Sequence, residues 1–121
     1  MKTITFQDSH RKKHFEFFRQ MDQPHFNLVA NVDITGFLEA IKVQKLSFTP
    51  YIVYALSKVA NDIPTFRWRI RGEEVVEHER VQPSFTVPTE TSDVFSFCTV
   101  AYDPDREVFI QRALQTIERM K

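Results

Sequence analysis

Glycine is nearly missing from this sequence, with two in 121 residues. So few leave no room for a Gly-rich phosphate loop or a dinucleotide-binding fingerprint, and nucleotide binding by those routes is excluded. Cysteine is rarer still. Cys98 stands alone, so the chain forms no internal disulfide and no cysteine-built zinc site, and a reducing compartment fits. Charge of either sign is not in excess: 16 Lys and Arg meet 16 Asp and Glu, for a formal net charge of zero. No overall field draws the chain to nucleic acid or to an anionic membrane. No apolar run reaches the ~18 residues of a membrane span, and the opening MKTITFQDSHRKKH has no signal-peptide core. The expectation is a cytoplasmic protein of one domain, residues 1–121, long enough to bury a core without metal or disulfide staples.

What the sequence does have is phenylalanine, twelve in all, several as close sets such as FEFF and FSF. Core packing is the default explanation for most of them. An aromatic wall for a flat apolar ligand is the alternative. The segment RKKHFEFFRQ, residues 11–20, mixes these rings with cations and reads as an amphipathic helix. Arg11, Phe15 and Phe18 share a face, His14 and Phe17 lie beside it, and Lys12, Glu16 and Arg19 face away. With Arg67, Arg69 and Arg71, the cations Arg11, Lys12 and Lys13 also raise a nucleic-acid reading, which predicts steeply salt-dependent binding. The acidic GEEVVEHE offsets them, and neutral charge disfavours that reading.

HFNLVANVDI carries the clearest strand pattern: Phe26, Leu28, Ala30, Val32 and Ile34 alternate with His25, Asn27, Val29, Asn31 and Asp33. Thr35 is placed to cap a short helix containing Phe37, Leu38 and Ile41. In FTPYIVYALSKVAND, Thr49 reads as N-cap and Pro50 as first turn. Ile52, Val53, Leu56, Val59 and Ala60 then predict a well-buried helix ending before Pro64. FRWRIR and EEVVEH flank Arg71 and Gly72 as a hairpin, SFTV and VFSFCTVAY are further strands, and Asp103 with Pro104 opens a last helix through Ile110, Leu114 and Ile117. Helices and strands mix without repeats, which predicts an α+β fold.

None of the four histidines has a partner at metal-ligand or triad spacing, and His14 reads as a packed, hydrogen-bonded helix residue. Ser84, Ser96 and Cys98 sit in strands, away from the sharp glycine-flanked turn that exposes a hydrolase nucleophile. The carboxylates of EEVVEHE fit a solvated strand face better than an acid/base pair. No self-contained catalytic site is visible.

The order of motifs, however, is specific as a series. RKKHFEFF, FNLVANVDIT, FTPYIVYALSKVAN, FRWRI, PSFTV and TETSDVFSF together resemble the N-terminal part of the chloramphenicol O-acetyltransferase family, over nearly all 121 residues. The resemblance implies helices packed on a mixed or antiparallel sheet, half of a two-layer sandwich. It implies acetyl-CoA as co-substrate, a small hydroxyl-bearing acceptor, no metal, and a homo-oligomer of the family's trimeric kind with its active sites between subunits. The family's general base lies in a His-His-x-x-x-Asp-Gly motif, helped by a serine that stabilises the oxyanion. Neither is found in this sequence, so the resemblance implies a truncated, catalytically incomplete chain.

Carried over position by position, Phe17 and Phe18 match the aromatic pair of the first helix, Phe26 a pocket residue on the next strand, and Phe95 and Phe97 the strand lining the acceptor site. Arg11 matches an arginine that pairs with the aspartate of the absent histidine motif. Ser9 stands where a tryptophan is frequent, and the pair is Phe-Phe where Phe-Tyr is common. Asp22, Pro24, Pro88 and Thr89 also depart from the pattern, which leaves the acceptor's identity open. The competing expectation is a non-catalytic module that binds a small ligand or a protein, since half of such a sheet leaves an unpaired edge or an uncovered apolar face.

Overall fold

The computed structural model describes residues 1–121. β1 (Lys2–Ile4), β2 (Trp68–Arg71) and β3 (Glu74–Glu77) form one antiparallel sheet in the order β1-β3-β2. The β2–β3 hairpin has the expected sequence, with its turn at Gly72 and Glu73 because Arg71 pairs with Glu74. Gly72 has φ +59, a left-handed conformation that glycine adopts without steric cost. β1 has no counterpart among the sequence expectations: three β-branched or polar residues give almost no periodic signal, and the strand exists because β3 offers it an edge.

α1 (Ser9–Arg19) lies against this sheet. Asp8 caps it, its carboxylate accepting the His10 N–H at 2.8 Å. Phe15 is the helix's anchor, its ring 5.1 Å from Phe6, which in turn meets Trp68 edge-on at 6.1 Å. One assignment on this helix is corrected. Arg19, expected to face away, turns inward: its guanidinium sits 5.4 Å from the Phe15 ring and donates to the Gly72 carbonyl at 3.2 Å. The i, i+4 spacing of Phe15 and Arg19 puts both over the sheet, whereas Phe18 falls on the side that no element covers.

The second packing centre joins β4 (Ser84–Pro88) and β5 (Phe95–Thr99), an antiparallel pair, to α3 (Phe48–Asp62) and α4 (Arg106–Met120). Its buried core is Val87, Cys98, Val100, Tyr102, Phe109, Ile110 and Ala113. Tyr54 of α3 reaches into it, its ring 5.7 Å from Phe109, while its hydroxyl donates to the Pro104 carbonyl at 2.9 Å. Both helix starts differ from the sequence expectation. α3 begins at Phe48 after Ser47, so Pro50 is the third residue of its first turn, where a missing N–H is still harmless. α4 is capped by Asp105, which accepts from the Glu107 and Val108 N–H groups, while Asp103, two residues earlier, accepts from the Asp105 N–H. Packed against α3 and β5, the helix buries Phe109, Ile110 and Ala113, and Leu114 is exposed.

α2 (Thr35–Val43) is a short helix whose first residue is Thr35. The capping carboxylate belongs to Asp33, which accepts from the Thr35 N–H at 2.9 Å and its hydroxyl at 2.6 Å. These bonds hold the Asp33 carboxyl below the usual range, the side-chain bond contributing most. At its other end Lys45 has φ +53, with Lys45 N–H bonded to the Lys42 carbonyl and Leu46 N–H to the Ile41 carbonyl, a Schellman stop.

The largest correction concerns residues 25–34. They are not a strand: no backbone group of residues 22–33 bonds to another backbone group. A strand is completed by a neighbour's ladder, and no strand of this chain pairs with this segment. α3 departs from expectation for the same reason. Only Pro50 and Ser57 are buried in it, while Leu56 and Val59 of its apolar face are exposed.

Candidate functional site

Phe17 and Phe18 sit on the outer side of α1 with their rings edge-to-face at 5.3 Å. They line a shallow depression with Lys13 and His14. Phe95 and Phe97 form a second pair on β5, again edge-to-face, at 5.7 Å. The register explains their exposure. Cys98 pairs with Phe85 on the core face of the β4–β5 ribbon, so Phe97, opposite Thr86, and Phe95, opposite Pro88, project to the other side. The four rings are 62, 47, 58 and 72 % exposed in chain order, and Phe26 is 91 % exposed. The expected pocket residues therefore fall in three places. No ring contact joins the two pairs, and Phe26 meets no other ring.

The largest cavity is elsewhere, an open cleft of about 620 Å³ between α1 and β2. Phe6, Phe15, Trp68 and Ile70 make its apolar wall, and Arg11, His10, His14 and Arg69 its polar rim. Only Arg11 of this set was singled out from sequence as a site residue. Phe6 and Trp68 are 62 positions apart, and nothing in either local pattern reports their meeting; the alternation of Trp68 and Ile70 was the one available signal. Arg11 makes no ion pair or hydrogen bond within the chain, whereas Arg69 is tied to the Phe66 and Trp68 carbonyls.

His14 donates from Nδ1 to the His10 carbonyl at 2.7 Å, because a carbonyl can only accept. The sequence reading of a hydrogen-bonded helix histidine holds, but the ring is exposed and not packed. Arg67 is fully engaged: it donates to the Asn61 carbonyl at 3.0 Å and the His78 carbonyl at 2.6 Å, and lies 3.6 Å from Glu77. Glu77 also accepts from the Trp68 indole at 3.0 Å. These bonds remove Arg67 from any free basic patch. Cys98 is fully buried and burial pushes its thiol up, away from the reactive thiolate. Burial likewise raises Tyr102, whose N–H donates to the Gln82 side chain. No three His, Cys, Asp or Glu side chains gather as a metal site, and no helix is long and apolar enough to cross a membrane.

The profile of the family described as chloramphenicol acetyltransferase matches residues 1–121, the whole chain. The chain belongs to the chloramphenicol acetyltransferase family. A chloramphenicol acetyltransferase of Escherichia coli is 33 % identical over 108 residues, which cover 89 % of this chain and 49 % of the relative. Chloramphenicol acetyltransferase 3 of Escherichia coli is 29 % identical over 111 residues, 92 % of this chain and 52 % of its own length. A solved chloramphenicol acetyltransferase structure superposes with a TM-score of 0.85 at 27 % identity, covering 98 % of this chain and 56 % of that one. The chain thus has the family's α+β fold and spans about half the length of the curated relatives it matches. Within that half, the aromatic pairs are surfaces and not an enclosed pocket.

Proposed function

We propose that residues 1–121 form the acceptor-binding portion of an acetyl-CoA-dependent O-acetyltransferase whose acceptor is chloramphenicol or a similar small hydroxyl-bearing molecule. The observation that carries this reading is the family match across the whole chain. Phe17, Phe18, Phe26, Phe95 and Phe97 are the acceptor-facing side chains. Their exposure supports it, because aromatic rings left this open are not serving the core of this chain. Arg11, unpaired beside the cleft, is the cation for an ion pair completed from outside these residues.

Acetyl-CoA is the co-substrate of this reading, its acyl group passing from the thioester sulfur to the acceptor oxygen as the hydroxyl proton leaves to a general base. That base is absent here, since no His-His-x-x-x-Asp-Gly segment occurs in the sequence. The working unit on this reading is a cytoplasmic homotrimer, and acetylation of an antibiotic acceptor confers resistance. The 121-residue chain with acetyl-CoA and chloramphenicol should release no CoA above background in a thiol assay. A longer chain continuing into the histidine motif should release it, and Phe97→Ala there should raise the acceptor KM about tenfold, a loss of about 1.4 kcal/mol. Release by the short chain overturns its incompleteness, and an unchanged KM overturns the aromatic assignment.

A second reading, a non-catalytic binding module, is favoured by the cleft at Phe6, Phe15 and Trp68, whose volume lies in the range of small-molecule sites. Saturable, stoichiometric binding of chloramphenicol to the short chain, lost in Trp68→Ala, supports it.

A further inference from the structure

α1 sorts its charged side chains by face. Glu16, its only carboxylate, lies with Lys12 in a small groove beside Glu73 and Glu74, 4.0 Å from Arg19. His10 and Arg11 turn to the cleft of Phe6 and Trp68, which His14 also borders. On the remaining side Lys13 and His14 stand one turn before Phe17 and Phe18, two adjacent i, i+4 rows that line a depression of about 440 Å³. This grouping is set by the helix period, whatever else lies over that face.

The chemistry of the depression is narrow. The Phe17 and Phe18 rings offer apolar area and no hydroxyl. The His14 Nδ1–H is engaged by the His10 carbonyl, so the neutral ring presents only Nε2, an acceptor. Lys13 is left as the one permanent charge and the one side-chain donor, and no carboxylate lies within 4.0 Å of it. A neutral molecule on the two rings gives its ammonium no partner beyond water, whereas a carboxylate on the same molecule gives it an ion pair.

We infer that Lys13 sets acceptor specificity, and that the acceptor this chain prefers is an alcohol with an apolar ring and a carboxylate, the ring on Phe17 and Phe18 and the carboxylate at Lys13. The role of Lys13 rests on the acceptor reading of those two phenylalanines. A neutral acceptor of the same shape gains the rings alone, and a cationic one is repelled. The preference is modest because Lys13 is exposed: an ion pair in that setting corresponds to about two- to fivefold in affinity, and salt screens it.

The test uses 4-(hydroxymethyl)benzoate and 4-(hydroxymethyl)benzamide, which share a ring and a hydroxyl and differ in charge. Each is titrated into the 121-residue chain at low salt while the amide chemical shifts of residues 13–18 are followed. The benzoate should bind about two- to fivefold more tightly than the benzamide, and the gap should close in about 0.5 M salt. Lys13→Gln should remove the preference and Lys13→Glu should reverse it. Both variants should keep the parent's circular dichroism, because the side chain is exposed and forms no ion pair in the chain. Equal affinity of the parent for the two probes, or a preference that survives Lys13→Glu, overturns the role of Lys13 and leaves Phe17 and Phe18 as an acceptor surface. Saturable shifts confined to the cleft of Phe6 and Trp68, or none at residues 13–18 with either probe, overturn the acceptor assignment of the two phenylalanines and the role of Lys13 with it.

Discussion

Asn61 treats Val81 as a neighbouring strand would, donating from its side-chain amide to the Val81 carbonyl at 3.0 Å and accepting the Val81 N–H at 2.9 Å. The same amide donates to the Ser57 carbonyl at 2.8 Å, so the end of α3 is clipped to the segment between β3 and β4. Asn61→Ala leaves the partly buried Val81 N–H and C=O without these partners and should cost about 1–3 kcal/mol in urea unfolding. Asn61→Asp keeps the acceptor but sets a carboxylate against two carbonyls. It should be at least as damaging at pH 7 and partly recovered at pH 3, where the protonated acid can donate.

Lys45 holds a left-handed conformation at the Schellman stop of α2. That conformation costs an L-residue about 1–2 kcal/mol, partly offset in a glycine variant by about 0.4–1 kcal/mol of extra unfolded-chain freedom. Lys45→Gly should therefore stabilise the chain by about 0.5 kcal/mol, and Lys45→Val should destabilise it. Gly72→Ala meets no atom within 4 Å but does take on φ +59, so its cost of about 1 kcal/mol should come from backbone strain alone.

The Asp33 cap gives a pH signature. Its carboxyl is held below the ordinary value of 3.8 by the Thr35 hydroxyl and N–H. A depressed folded value means the stabilisation is fully present above the unfolded value and is lost as pH falls through the folded one. Asp33→Ala should be less stable than the parent from pH 5 to 7, and the difference should shrink below about pH 3.8. A difference that stays constant down to pH 2 contradicts the cap.

Cys98 has no exposed surface and a raised thiol. Alkylation by iodoacetamide at pH 8 should be slow in the native chain and should speed up with urea in parallel with unfolding. Cys98→Ser places a hydroxyl where only Phe85, Val87 and their core neighbours surround it, and should cost about 1–3 kcal/mol.

Phenylalanines divide by what covers them. Phe109→Ala empties a fully buried site and should cost about 3–5 kcal/mol. Phe17→Ala and Phe97→Ala should change the stability of the 121-residue chain by no more than about 0.5 kcal/mol, since both rings already face solvent. A large loss at either position would assign it to the core and not to an acceptor surface.

Local chemistry was legible wherever a short segment carries its own instruction. Pro64 stops α3, the Arg71–Gly72 region turns the β2–β3 hairpin, and the alternation in FSFCT places Cys98 opposite in facing to Phe95 and Phe97. Cap positions slipped by two residues at α3 and α4 because serine, threonine and aspartate cluster there, and several satisfy the same rule; only the bonds formed by Asp105 single it out. The candidate site was legible as a set of residue types and not as a place, since Phe17 lies in α1, Phe26 in the segment between α1 and α2, and Phe97 in β5, with no ring contact among them.

Apolar periodicity, the turn and stop signals, the lone cysteine and the ordered motif series are properties of the sequence by itself, and they determined the α+β class and the family. Which apolar faces are covered was decided by the tertiary structure alone. Residues 25–34 have a strand's pattern and Leu56 and Val59 a buried helix's, yet both stay open. A residue's pattern encodes which face prefers to leave water, but burial and ladder bonds require a second surface to meet it, and within these 121 residues that surface is absent.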